Sequence, residues 1–169
     1  MEQHKVYFRI GKYKAVKYIG SGSTSKVYLD KNGYAIKRIK LGAVKNARHF
    51  FNREIEIIKK LDHPNIIKLI DYIEDEEKNI AYLILEHCPK GDLGSFLKGR
   101  ALTEKHVKRM IKELIYELQY LSEHNIMHLA LKPTNILLMD DNSIKITAFG
   151  LAKFSEPDKL SEMICGSPM

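Results

Sequence analysis

The chain is short of thiols: it has two cysteines, Cys88 and Cys165, so no disulfide framework is implied. A reduced, intracellular and most simply cytoplasmic setting is the expectation. No apolar run reaches the roughly 18 residues that a membrane helix needs, and residues 1–14 lack the apolar core of a signal peptide. No internal repeat and no low-complexity stretch is present. Basic runs are missing too. The formal charge is +7, yet no five basic residues stand together, which reads as solvated surface and not as a nucleic-acid groove.

What is present is the composition of a folded domain, 44% hydrophobic and 29% charged over 169 residues. Tyr13 to Ile19 is rich in strand formers and ends at the Gly/Ser cluster Gly20-Ser21-Gly22-Ser23-Thr24-Ser25. Val27 to Leu29 resumes strand character, Asp30 to Gly33 supplies a turn, and Tyr34 to Ile39 forms a third strand. Ala47, Phe51, Glu54, Ile58 and Leu61 then recur at helical spacing, and His63-Pro64-Asn65 stops that helix. Strands are expected over Ile67 to Ile73 and Ile80 to Leu85. After Gly91 a long amphipathic stripe of Val107, Met110, Ile111, Leu114, Leu118 and Leu121 predicts a helix, with Thr103 as its N-cap. Ile136 to Met139 and Ser143 to Ile146, joined by Asp140-Asp141-Asn142, signal a hairpin. The class is α+β: one domain over 1–169, with a small β-rich lobe at about 10–86, a connector, and a partial helical lobe over 87–169.

Two features carry chemistry. Gly20-x-Gly22 between strands exposes backbone amides to which a polyanion can come close, although such a turn also closes ordinary hairpins. Lys37 lies within an otherwise apolar strand, where a half-buried ammonium needs an anion. Glu54 lies on the apolar face of the first helix and could meet that need. The alternative is that each charge reaches solvent at the edge of its element.

These residues resemble the protein kinase family. The carriers are Gly20-x-Gly22-x-x-Ser25-x-Val27, Tyr34-Ala35-Ile36-Lys37, Arg53-Glu54-Ile55 and His63-Pro64-Asn65, in the family's usual order. Leu85-Glu86-His87-Cys88 resembles the hinge that holds adenine through its backbone, with Leu85 as gatekeeper. Asp92 resembles the acidic residue that binds ribose. The resemblance implies ATP as the ligand, with Ile19, Gly20, Gly22, Val27, Ala35, Lys37, Glu54, Glu86, Cys88, Asp92 and Leu137 around it. His128 to Asn135 is similar to the catalytic loop, and its Lys132-Pro133-Thr134-Asn135 form is that of serine/threonine kinases. Ala148-Phe149-Gly150 is similar to the metal-binding turn. Cys88, Gly91-Asp92-Leu93 and Cys165 to Met169 are similar to the autophagy-initiating kinases.

The departures decide the functional expectation. Ala130 stands at the catalytic-base position and Ala148 at the metal-ligand position, where the family has aspartates. Ser25 replaces the third glycine of the phosphate loop. Leu129 replaces the arginine that receives an activation-loop phosphate. Lys132 and Asn135 are retained, and Asn135 is the one metal ligand left in the motif set. Asp140, Asp141 and Asp158 are poorly spaced to substitute, and Ser155, Ser161 and Ser167 lie in the activation segment. The resemblance also implies further helices that bury the face of the long helix; without them that face is open to a protein partner. Three readings stay open: a pseudokinase that binds nucleotide, an active serine/threonine kinase, and a truncated copy without function.

Overall fold

Strand-forming residues alternate with polar ones from Phe8 to Lys40. They fold into β1 (Phe8–Ile10), β2 (Tyr13–Ser21), β3 (Ser25–Asp30) and β4 (Ala35–Lys40). With β5 (Leu69–Asp75) and β6 (Ile80–Leu85) they form an antiparallel sheet of order β1-β2-β3-β4-β6-β5. The computed structural model describes residues 6–22, 24–139 and 143–155. Its residues group into two units, Met1–Phe51 with Lys68–His87, and Asn52–Ile67 with Cys88–Met169.

In the first unit one face of the sheet carries an aromatic-rich core of Tyr13, Ala15, Tyr28, Ile36, Ile80, Tyr82 and Ile84. Phe8 of β1 meets Tyr28 edge-on at 4.9 Å. The β3–β4 turn is built by Asp30, whose buried carboxylate accepts the Lys14 N–H at 2.6 Å and the Asn32 N–H at 2.8 Å. Gly33 takes φ 88° in that turn, a region glycine enters without steric cost. The Tyr13 hydroxyl donates to an Asp71 carboxylate oxygen at 2.9 Å, joining β2 to β5 across three intervening strands, so the sheet is curled. Burial, followed by that bond to a carboxylate, pushes the Tyr13 phenol up to about 12.

α1 (Ala47–Ile58) begins in the first unit and ends in the second. In the second unit follow α2 (Leu93–Leu97), α3 (Glu104–Glu123) and four short strands, β7 (Ile126–Met127), β8 (Ile136–Leu138), β9 (Ile144–Ile146) and β10 (Lys153–Phe154). β8 and β9 form an antiparallel hairpin, and β10 pairs with β7. Met110, Ile136, Leu138 and Ile144 form the core here, with Leu93, Phe96, Leu102 and Leu114 against them. Thr103 caps α3 as expected, its hydroxyl accepting the His106 N–H at 3.4 Å.

The expected strands, both long helices and the hairpin are present. β1, α2, β7 and β10 were not anticipated, each being too short to show a period. α1 stops at Ile58, one turn before Leu61. The α3 stripe divides into two seams. Met110 and Leu121 are buried, whereas Val107, Ile111 and Leu118 are exposed. Residues 140–142, Asp158, Ser161, Cys165 and Ser167 lie outside the described residues. No helix of the described residues is long and apolar enough to cross a membrane.

The Tyr13–Asp71 bond gives a test of the curl. Tyr13→Phe should cost about 1–2 kcal/mol in urea unfolding at pH 7, since the bond is to a charged acceptor. The phenol's pKa is higher in the folded chain, so its contribution is complete below pH 10 and is lost as pH rises towards 12. Wild type should therefore show an alkaline stability loss that Tyr13→Phe lacks.

Candidate functional site

In the first unit the ladder register sorts the candidate residues by face. Val27 is paired with Lys37 and Lys37 with Leu83; Leu29 is paired with Ala35 and Ala35 with Leu85. Val27, Ala35 and Lys37 therefore share one face, with Leu83 and Leu85, on the side opposite the aromatic core. Gly20 pairs with Val27, and the hairpin closes through the Gly22 N–H on the Ser25 carbonyl at 2.9 Å. A Cβ at Gly20 would meet nothing within 4 Å, and neither Gly20 nor Gly22 has positive φ. The hairpin's own packing does not require glycine at position 20. What glycine provides there is open space above the backbone. Ile19 is exposed beside it. Glu86 follows β6, its N–H donating to the Lys68 carbonyl at 3.0 Å and its carboxylate accepting the Lys68 N–H at 2.6 Å.

In the second unit Glu54 is buried on α1, on the face of Ile57 and Ile58. The segment from Cys88 to Asp92 runs along β8. The Lys90 N–H donates to the Leu138 carbonyl at 3.2 Å, and the Leu138 N–H to the Gly91 carbonyl at 2.9 Å. Asp92 forms an antiparallel bridge with Leu137, and its carboxylate caps α2 through the Ser95 N–H at 2.8 Å. Buried Cys88, Asp92 and Leu137 are thus brought together.

The loop from His128 to Asn135 is tied to the turn at Ala148 by a closed set of bonds. The Ala130 N–H donates to His128 Nδ1 at 3.2 Å, so Nδ1 carries no proton. His128 Nε2 then bears the proton and donates to the Thr147 carbonyl at 2.9 Å. The Asn135 side-chain amide donates to the Ala130 carbonyl at 2.7 Å, and the Thr147 N–H to the Asn135 carbonyl at 3.0 Å. Phe149 is buried and meets the His128 ring edge-on at 4.8 Å. Burial lowers the His128 pKa, opposed by its bond to Thr147 and by the Glu54 charge, and the neutral imidazole is what both contacts require. Leu129 at φ 59° and Ala148 at φ 69°, ψ 59° are left-handed. That region disfavours alanine by about 1–2 kcal/mol and tolerates aspartate or asparagine better. Lys132 is exposed at the start of the 3-10 turn Pro133–Asn135.

Ala130 lies in this loop and Ala148 in this turn, and each carries only a methyl group. Magnesium requires several hard oxygen ligands. Asn135 offers one amide oxygen, and among the described residues no three His, Cys, Asp or Glu side chains gather as a metal site. The described residues do not fit the metal.

Two polar features escaped the sequence reading. The His63-Pro64-Asn65 stop docks onto β9: the Asn65 amide donates to the Ile144 carbonyl at 2.9 Å and to Glu113 at 3.1 Å, while His63 stacks on Tyr120 at 4.9 Å. Glu117 is fully buried, neither oxygen has a hydrogen-bond partner among the described residues, and burial pushes its carboxyl up to about 8. Its signal was available. Residues 110, 114, 117 and 121 form the inward seam of α3 at spacings of four, three and four.

Residues 13–169 match the family model described as the protein kinase domain. The chain is 36% identical over 168 residues to a probable serine/threonine-protein kinase MARK-C of Dictyostelium discoideum, covering 95% of this chain and 22% of that protein. It is 37% and 39% identical over 170 residues to the serine/threonine-protein kinases ATG1c and ATG1b of Arabidopsis thaliana. Those matches cover 95% of this chain, 23% of the first and 24% of the second. The chain thus spans about a quarter of the length of these relatives.

Glu117 and His128 give opposite pH slopes. Glu117 has a higher pKa folded than unfolded, so the stability linked to its neutral form is complete below about 4.5 and is lost as pH rises through about 8. His128 has a lower pKa folded, so its contribution is present above about 6.5 and is lost as pH falls below that. Glu117→Gln should remove a decline of up to about 1.4 kcal/mol per pH unit, one proton's worth, between pH 6.5 and 8 in denaturant unfolding. An unchanged slope in the variant would contradict the buried, unpaired placement of Glu117.

Proposed function

Because the chain belongs to the protein kinase domain family, we propose that it is a serine/threonine-type, ATP-binding pseudokinase domain, one that holds nucleotide weakly and transfers phosphate inefficiently or not at all. The observation that carries this reading is the complete hydrogen-bonded framework of the loop with methyl groups at positions 130 and 148. A catalytic carboxylate at position 130 would orient a substrate hydroxyl and accept its proton, a role worth about 10²–10⁴ in rate. That corresponds to roughly 3–5 kcal/mol of barrier. An alanine at position 148 gives up the charged ligand through which a metal would neutralise the transferring phosphate.

Binding makes lighter demands. Backbone at Glu86 and Cys88 would hold adenine, with Ile19, Val27, Ala35 and Leu137 against the base and Asp92 on the ribose. The amides about Gly20 and Gly22 and the Lys37 ammonium would take the phosphates. Pairing of Lys37 with Glu54 is part of the proposal and would aim that ammonium. The Lys132-Pro133-Thr134-Asn135 loop and the relatives' names support the serine/threonine class. The exposed face of α3, with Val107, Ile111, Ile115 and Leu118, suits a protein partner. A cytoplasmic location accords with the scarcity of cysteine.

The test is a thermal-shift titration with ATP, with and without magnesium, beside a radiolabel transfer assay. ATP at ten times its Kd should add about 1.4 kcal/mol of stability whether or not the metal is present. Lys37→Ala should abolish the shift. Transfer should be undetectable in the unchanged chain and should emerge on joint Ala130→Asp and Ala148→Asp substitution. Magnesium-requiring transfer by the unchanged chain, abolished by Lys37→Ala, would show an active kinase instead.

A further inference from the structure

We propose that the sheet face built on Lys26, Arg38 and Lys40, with Tyr18 beside them, binds single-stranded nucleic acid. The charge of the chain is segregated. Residues 1–51 hold twelve Lys and Arg against two acidic residues, whereas residues 52–169 hold sixteen against nineteen. Of those two acidic residues Asp30 is described, and its buried carboxylate is spent on the Lys14 and Asn32 amides. Residues 68–87, in the same unit, add two basic and six acidic residues. Of these, Asp75 lies on the face of Lys40, in line with it through Ile80, and its carboxylate is held by Lys78, while Asp71 accepts from Tyr13.

The ladder then gathers them. Lys26 and Arg38 are direct cross-strand neighbours on β3 and β4, and Lys40 lies two residues further along the same face. Like charges placed opposite one another destabilise a sheet. Among the described residues none of Lys26, Arg38 and Lys40 makes an ion pair, although Arg48, Lys78 and Lys108 find Glu74, Asp75 and Glu104. Arg9 and Lys14 form a second like-charged cross-strand pair on the opposite face, also without an acidic partner. The alternation of strands explains why no basic run appears in the sequence: the cluster forms across strands and not along the chain.

The aromatic groups favour nucleic acid over an acidic polypeptide. Tyr18 pairs with Tyr28 in the ladder and so lies on the face of Lys26. It is 43% exposed and its ring props on buried Tyr28 at 5.6 Å, while Tyr7, 50% exposed, props on the same ring at 5.4 Å. Exposed rings held beside unpaired cations are what unstacked bases and their phosphates use together. An acidic peptide would use the cations alone. The site is separate from the proposed nucleotide site, because Arg38 and Lys37 point to opposite faces of β4.

Fluorescence anisotropy of the full chain with a labelled oligouridylate of about fifteen nucleotides, over a salt series, tests this. Three phosphates neutralised predict a slope of log affinity on log salt of about −2. Lys26→Glu should weaken binding at least tenfold and make that slope shallower. It should leave the melting temperature unchanged or higher, since it converts a repulsive pair into an attractive one. Tyr18→Ala should weaken binding with the slope unchanged. Lys108→Glu with Lys112→Glu, on α3, should do neither. The proposal fails if the oligonucleotide does not bind at low salt, or if the α3 variant costs as much as Lys26→Glu. It fails equally if polyglutamate competes as well as the oligonucleotide while Tyr18→Ala is silent, which would assign the face to an acidic protein.

Discussion

The neutral imidazole of His128 is the joint on which the candidate site depends. One ring nitrogen must accept from Ala130 and the other must donate to Thr147, so a single tautomer satisfies both. The ring is buried against Phe149, where an imidazolium would lose hydration and find no acceptor at Nδ1. Through it the loop at 128–135 and the turn at 147–149 hold each other. Asn135 closes the circuit from the far side by donating to the Ala130 carbonyl and accepting from the Thr147 amide.

This joint explains how the loop and the turn can keep their arrangement whatever side chains stand at positions 130 and 148. Replacing a carboxylate by a methyl group at positions 130 or 148 subtracts chemistry and leaves every backbone bond in place. Replacing His128 would strand the half-buried Ala130 amide and Thr147 carbonyl, at up to about 1–3 kcal/mol for each unsatisfied group. The fold therefore protects His128 and Asn135 whether or not phosphate is moved. Ala148 points the same way. Its left-handed backbone is one that short polar side chains tolerate better, so the turn keeps a conformation that alanine alone would not choose.

Much of this was legible in the sequence because it rests on local periodicity. The strands around Lys37, the stop at His63-Pro64-Asn65 and the cap at Thr103 each announce themselves within a few residues. Legibility failed where the deciding contact is distant in sequence. Tyr13 and Asp71 are 58 residues apart, and no local pattern joins them. β1 is three residues long and takes its place from Phe8 packing on Tyr28 and Tyr82. The long helix showed its apolar stripe, yet not that the stripe has an inward seam containing Glu117 and an outward one containing Ile111 and Ile115. The loop motifs gave residue types; the left-handed backbone of Leu129 and Ala148 had no sequence signal, since neither residue favours it.

The period of two in β4 also separates two tasks that lysine and arginine could otherwise confuse. Ala35 and Lys37 face one side with Val27, while Ile36, Arg38 and Lys40 face the other with Tyr28 and Lys26. A slip of one residue would exchange the two sets entirely. β2 has to serve both sides, and a register shift between Tyr18 and Gly20 lets it do so. Without the shift, residues two apart would share a face. With it, Tyr18 stays opposite Tyr28 on the aromatic side, and Gly20 comes opposite Val27 on the side of Lys37. An irregularity of one residue thus brings the open glycine to the side of Lys37, and keeps the exposed tyrosine with the cations on the reverse of the sheet.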